Sequence, residues 1–177
     1  DEPVPGQPGK DVVWVPTPDD VVERMLDLAQ IKPNEYVMDL GSGDGRNIIA
    51  AAKRGAWGIG IEYNPKLIEV SKRNAAAAGV YDQAQFAQGD MFEADISEAD
   101  VLLLFLLPDN LKRLTPKFLG MRPGSRIVSN TFGIEGWTPD QTIGVPNCTT
   151  WCQVLLYIVP AKVAGTWETP KGPLTIA

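Results

Sequence analysis

Short apolar runs alternate along this chain with longer stretches in which apolar residues recur every three or four positions. Runs from Tyr36 to Leu40, Trp57 to Glu62, Ala84 to Gln88, Val101 to Leu106 and Arg126 to Phe132 have the length of strands. The segment Val101 to Leu107 is apolar throughout, as a strand covered on both faces must be. Between the runs, Ile48 to Arg54, Pro65 to Ala78 and Pro108 to Met121 carry helical spacing, with Gly79 as a C-terminal cap. Pro116 should kink or break the last of these helices. Upstream, Thr17-Pro18-Asp19-Asp20 predicts a helix start, with Thr17 as cap, Pro18 at the first helical position and acids in the first turn. Val21, Val22, Met25, Leu26 and Leu28 form its apolar stripe. This order predicts an α/β fold, a doubly wound and mostly parallel sheet with right-handed crossovers. The last stretch is β-rich: Val154 to Val159, then a hairpin from Trp167 to Ile176, expected as antiparallel strands at the C-terminal edge of the sheet. Residues 1–12, rich in proline and glycine, read as a flexible arm. Residues 13–177 read as a single domain.

The first strand carries Asp39-Leu40 at its end and runs into Gly41-Ser42-Gly43-Asp44-Gly45. Glycine takes positive φ and lacks a Cβ, so this loop can turn sharply and let a ligand approach its backbone. The helix that follows offers free N–H groups at the same place. A dinucleotide fingerprint reads G-x-G-x-x-G. Here the spacing is G-x-G-x-G, with Asp39 before it and Asp44 within it. Two carboxylates would repel a diphosphate and attract a cationic amino-acid ligand. That points to S-adenosylmethionine, which carries a sulfonium and an ammonium.

Two further strands close on acids. Glu62, followed by Tyr63, lies about twenty positions after Gly41, the offset at which nucleotide-binding folds carry a ribose-binding carboxylate. The third run ends in Gly89-Asp90-Met91-Phe92, as if Asp90 accepted from an adenine amino group while Met91 and Phe92 packed on the ring. Taken singly, these features also read as a bare glycine turn, a surface acid and a capped turn. Three acids closing successive strands at regular spacing favour one ligand site.

Composition narrows the chemistry. The net charge of −6 and pI near 4.7 argue against a nucleic-acid-binding face. Lys112, Arg113, Lys117 and Arg122 read instead as a solvated helix face. The absence of histidine removes Ser-His and Cys-His pairs and a histidine base. Cys148 and Cys152, the only cysteines, are too few for a structural zinc site. They read as two small buried residues, with a disulfide open to them if the segment turns. No apolar run reaches the ~18 residues of a membrane span. The start at Asp1 suits a trimmed or processed chain. A cytosolic location is favoured because the cofactor is made there, and the start and paired cysteines leave an exported form open. The oligomeric state has no signal in the sequence.

Several stretches together resemble a known group. They are Val15-Pro16-Thr17-Pro18-Asp19-Asp20, Asp39 to Arg46, Gln88-Gly89-Asp90-Met91-Phe92, Leu106-Leu107-Pro108 and Val159-Pro160-Ala161-Lys162-Val163-Ala164-Gly165. The chain resembles class I S-adenosylmethionine-dependent methyltransferases, and most of all small bacterial relatives of the ATP synthase c-subunit lysine methyltransferases. The resemblance implies that Asp39, Leu40 and the loop Gly41, Ser42, Gly43, Asp44, Gly45 hold the methionine moiety. It gives Glu62, beside Tyr63, the ribose, Asp90 with Met91 the adenine, and Thr17 a cover over the methionine end. Phe105, also near the cofactor, and Asn130 would face the methyl acceptor, and S-adenosylhomocysteine would be the product. The acceptor implied is a protein lysine ε-amine. A small-molecule or lipid acceptor and a catalytically altered binding module stay open, and a dehydrogenase is a weaker alternative. Two positions depart from the family pattern. Phe105 stands where many relatives carry tyrosine, and Ser129-Asn130-Thr131-Phe132 replaces Ser-His-Asp-Phe.

Overall fold

The structure, a computed structural model, describes residues 2–177; Asp1, where the expected arm begins, lies outside them. Its elements in chain order are α1 (Asp19–Ala29), β1 (Tyr36–Leu40), α2 (Arg46–Lys53), β2 (Trp57–Glu62), α3 (Pro65–Ala77), β3 (Ala84–Gln88) and β4 (Val101–Leu104). They continue with α4 (Pro108–Leu119), β5 (Arg126–Asn130), β6 (Gln141–Gly144), β7 (Gln153–Ile158), β8 (Gly165–Thr169) and β9 (Gly172–Ile176). Seven strands form one sheet in the order β3-β2-β1-β4-β5-β7-β6, parallel from β3 to β5 and antiparallel at β7 and β6.

The alternation of side chains along each strand divides the core in two. Val37, Val101, Leu103, Val128 and Leu156 join the buried faces of α1, α2 and α3. Met38, Leu40, Leu102, Leu104 and Ile127 point the other way, onto Leu111, Leu114 and Phe118 of α4. Strands β1 and β4 are therefore apolar on both faces, apart from Asp39. The chain winds from β1 outward to β3, then returns to β4 on the other side of β1. That reversal opens a crevice at the carboxyl ends of β1 and β4, where open α/β sheets bind ligands.

Three local expectations differ from the structure, and one strand was not expected. Helix α4 runs through Pro116 to Leu119 unbroken, because Leu114 and Phe118 are fully buried and Lys117 Nζ donates to the carbonyls of Phe92 and Ala94. Pro18, and not Thr17, is the N-cap of α1, and no side chain caps that helix. The terminal hairpin β8–β9 is a separate two-stranded sheet, with Trp167 and Leu174 exposed, so neither strand extends the main sheet. The antiparallel edge is made by β7 and by the short β6, whose Gln-Thr-Ile-Gly sequence is exposed except at Ile143 and has no strand-like alternation.

The segment expected as a flexible arm is folded back on itself. Gly6 N–H donates to Trp14 C=O at 2.7 Å, Trp14 N–H to Gln7 C=O at 3.1 Å and Gly9 N–H to Val12 C=O at 2.9 Å, and Pro8 bridges Val13. This turn lies over the crevice. Among the described residues, no helix is long and apolar enough to cross a membrane.

Candidate active site

Gly41, Gly43 and Gly45 all have positive φ, at 78°, 56° and 85°. The chain leaves β1 through this loop, where Gly41 and Ser42 N–H groups both donate to the Ile61 carbonyl, at 2.8 and 3.0 Å. Two of the glycines are also required by space. A Cβ on Gly43 would come within 2.5 Å of Trp14 Nε1, and one on Gly45 within 2.6 Å of the Phe86 ring. Trp14 thus seats the N-terminal turn directly on the loop.

Asp39 sits beneath the loop and is 3% exposed. Burial pushes its carboxyl up to about 7; a hydrogen bond from Asn47 Nδ2 at 3.0 Å opposes this, and the charges of Glu62 and Asp44 add to it. Around it, Ser42 Oγ and Asn47 Oδ1 are buried and have no partner among the described residues. Both residues line one cleft with Asp39, Gly41, Gly43 and Thr17. A buried acid with no cation beside it, next to unpaired polar atoms, is the environment that an ammonium-bearing ligand satisfies.

The two acids of the loop therefore differ. Asp44 lines the same cleft as Asp39, as expected, but its carboxylate is paired with Arg46: Nη2 reaches Oδ2 at 2.7 Å and Nε reaches Oδ1 at 3.0 Å. Arg46 Nη1 also donates to the Thr17 carbonyl at 2.8 Å, tying the start of α1 to the loop. Glu62 accepts from Gly43 N–H and Asn64 N–H, each at 2.9 Å, and so links the end of β2 to the same loop.

A second lobe of the crevice is lined by Glu62, Tyr63, Asp90 and Met91, with Lys10 and Trp14 from the N-terminal turn. Lys10 ion-pairs with Asp90 and lies 4.9 Å from the centre of the Tyr63 ring. The Lys10 contact, aided by Phe92 N–H at 2.9 Å, holds the Asp90 carboxyl below its usual range. Two of the residues expected at the cofactor line neither lobe. Leu40 is fully buried on the α4 side of the sheet, and Gly45 packs against Phe86 and Ser71.

Beyond the loop, Phe105, Phe132 and Trp151 form an aromatic triad with ring centres 5.6 to 6.3 Å apart. With Val12, Val13, Val15, Leu106 and Leu107 they line an apolar cavity of about 180 Å³ that contains no titratable side chain. Phe105 borders this cavity and both lobes of the crevice. Asn130 does not line the cavity. It is fully buried, its Nδ2 donates to Thr17 Oγ1 at 3.4 Å and its Oδ1 accepts from Thr131 Oγ1 at 2.9 Å. It supports Thr17 from behind.

Lys10, Trp14, Arg46, Asn47 and Trp151 were not singled out from the sequence. Only Arg46 and Asn47 carried a signal, as the first residues of the helix after the glycine loop. Cys148 and Cys152 are joined in a disulfide, with Cα atoms 5.7 Å apart, because the segment turns at Asn147 and Trp151, both at φ 59°.

Comparison with known proteins adds four findings. The family model of the ANTKMT methyltransferase domain matches residues 39–141, from Asp39 through the whole glycine loop to the start of β6. The protein-lysine N-methyltransferase of Saccharolobus islandicus (strain REY15A) is 41% identical over 151 residues, 84% of this chain and 94% of that protein. The ATP synthase c-subunit lysine N-methyltransferase of Mus musculus is 34% identical over 139 residues; the match spans 78% of this chain and about half, 56%, of the mouse protein. A solved structure described as an RNA methyltransferase from Salinibacter ruber, in complex with S-adenosyl-L-homocysteine, superposes with a TM-score of 0.79. It is 44% identical, and the match covers 84% of this chain and 96% of that one.

Proposed function

Because the chain belongs to the ANTKMT methyltransferase-domain family and is an S-adenosylmethionine-dependent methyltransferase, we propose that it methylates the ε-amine of a protein lysine. The observation that carries this reading is the shared wall at Phe105, where an apolar, uncharged cavity meets the acid-lined crevice. A lysine side chain is long and apolar up to its terminal amine, and it suits such a slot.

In this reading Asp39 and the backbone of the Gly41 to Gly45 loop hold the amino-acid end of the cofactor. Glu62 takes the ribose, and Asp90 with Met91 takes the adenine. Bound S-adenosylmethionine supplies an electrophilic methyl group on a sulfonium. The residues of this chain align the amine with it and exclude water, and alignment alone can contribute ~7–11 kcal/mol. The apolar cavity lowers the pKa of an entering lysine, because burial disfavours the ammonium. No side chain lining the cavity can take a proton, so the amine loses its proton to solvent before it is enclosed.

An RNA acceptor is the second reading, raised by the description of the Salinibacter ruber protein. The net charge of −6 and the acids at the crevice weigh against it, since phosphate binding needs a basic face. The test is transfer of tritiated methyl from S-adenosylmethionine to poly-L-lysine and, in parallel, to purified RNA. Label on poly-L-lysine, recovered as methyl-lysine after acid hydrolysis, is the expected result. Label on RNA alone would reverse the ranking.

A further inference from the structure

The loop that carries Trp151 joins β6 to β7 and is closed at its base. Gly144 pairs with Gln153 in the ladder, and Val145 N–H donates to Cys152 C=O at 2.8 Å. Above that base the Cys148–Cys152 disulfide ties the loop across. Trp151 immediately precedes Cys152 and is held at φ 59°, a left-handed conformation that a bulky side chain seldom adopts. The residue is 40% exposed, and its ring centre lies 5.6 Å from that of Phe105 and 5.9 Å from that of Phe132. A residue in an unfavourable backbone state persists only where its surroundings impose it. Its neighbour Cys152 is held both by the disulfide and by the Val145 hydrogen bond.

We infer that Trp151 is a specificity-determining wall of the acceptor cavity and that the Cys148–Cys152 disulfide positions it, so that acceptor binding depends on the redox state of this pair. The inference rests on the acceptor reading given above. A dithiol such as dithiothreitol opens the S–S bond to two thiols, giving up two electrons and two protons as it closes its own disulfide. Once the bond is open, Trp151 can relax to negative φ, which redirects its Cβ and turns the indole off Phe105 and Phe132. The base of the loop stays paired in the sheet, so the fold is retained. Asp39, Glu62 and Asp90 lie at the ends of other strands, and cofactor binding is unaffected.

The test uses the whole chain labelled with 5-fluorotryptophan, which gives five fluorine NMR lines. The Trp151 line is assigned by its absence from Trp151→Phe. Reduction should move that line towards the value of free fluorotryptophan and leave the other four in place. The same samples are assayed for methyl transfer to poly-L-lysine and for calorimetric binding of S-adenosylhomocysteine. Reduction, Trp151→Ala and the double variant Cys148→Ser/Cys152→Ser should each raise KM for poly-L-lysine about fivefold or more, with cofactor affinity unchanged. Trp151→Phe should recover part of that loss, and reduction should add nothing to Trp151→Ala. A Trp151 line that does not move, a KM insensitive to reduction, or an equal change in cofactor affinity would overturn the inference. If the oxidised enzyme fails to label poly-L-lysine at all, the lysine reading fails, and the fluorine line still decides whether the disulfide positions Trp151.

Discussion

Replacing Asp39 with asparagine tests the electrostatics of the glycine loop. Burial pushes the carboxyl from its ordinary 3.8 up to about 7, against the Asn47 hydrogen bond and with the help of the Glu62 and Asp44 charges. At pH 7 the group is about half ionised, at pH 6 about a tenth and at pH 8 about nine-tenths. A ligand ammonium selects the ionised form, so S-adenosylhomocysteine should bind about tenfold more tightly at pH 8 than at pH 6. Asp39→Asn keeps the shape of the side chain and removes its charge. It should flatten the pH dependence and weaken binding at pH 8 by about tenfold or more, the value of a charge-assisted hydrogen bond at ~1.5–3 kcal/mol. Titration of the ligand's own amine persists in the variant, so the difference belongs to residue 39.

Without ligand the effect on stability has the opposite sign. The folded carboxyl keeps a proton that the unfolded chain loses between pH 3.8 and about 7, so stability falls as pH rises through that window. The gap corresponds to at most about 4 kcal/mol. Asp39→Asn should therefore raise Tm at pH 8 and change it little at pH 4. Calorimetry at pH 6, 7 and 8, with thermal melts of the free protein at pH 4 and 8, reads both effects. A wild-type affinity that does not vary with pH, or a variant that binds as tightly at pH 8, would refute the assignment of Asp39 to the ammonium.

Two further outcomes follow from the same loop. If Glu62 takes the ribose as proposed, Glu62→Ala should weaken S-adenosylhomocysteine about tenfold or more in calorimetry, and it also leaves Gly43 N–H unpaired; unchanged affinity would take Glu62 out of the site. Gly43→Ala places a Cβ at positive φ and within 2.5 Å of Trp14 Nε1. It should cost about 1–2 kcal/mol in urea unfolding and raise acrylamide quenching of Trp14, whereas quenching equal to wild type would mean that Trp14 does not rest on the loop.

The sequence by itself determined the elements and the ligand end of the site. Strand and helix periods are local properties, and apolar runs such as Val101 to Leu104 leave few arrangements open. The turn after β1 was legible because glycine spacing reflects the stereochemistry of the loop itself. Glu62 and Asp90, each closing its own strand, were legible as a pair, and both line one lobe of the crevice. What tertiary structure decided was the partner of each group. Asp44 looked equivalent to Asp39 until Arg46 folded onto its carboxylate. Asn130 was read at the mouth of the site, and the fold instead turns it onto Thr17, 113 residues away in sequence. Lys10 reaches Asp90 across 80 residues, which makes a segment read as a flexible arm into a cover. Trp151 had no periodic signal, because a loop closed by a disulfide and one left-handed residue puts it against Phe105. Hydrophobic spacing fixes which way a side chain faces, and only the packed chain fixes what it meets there.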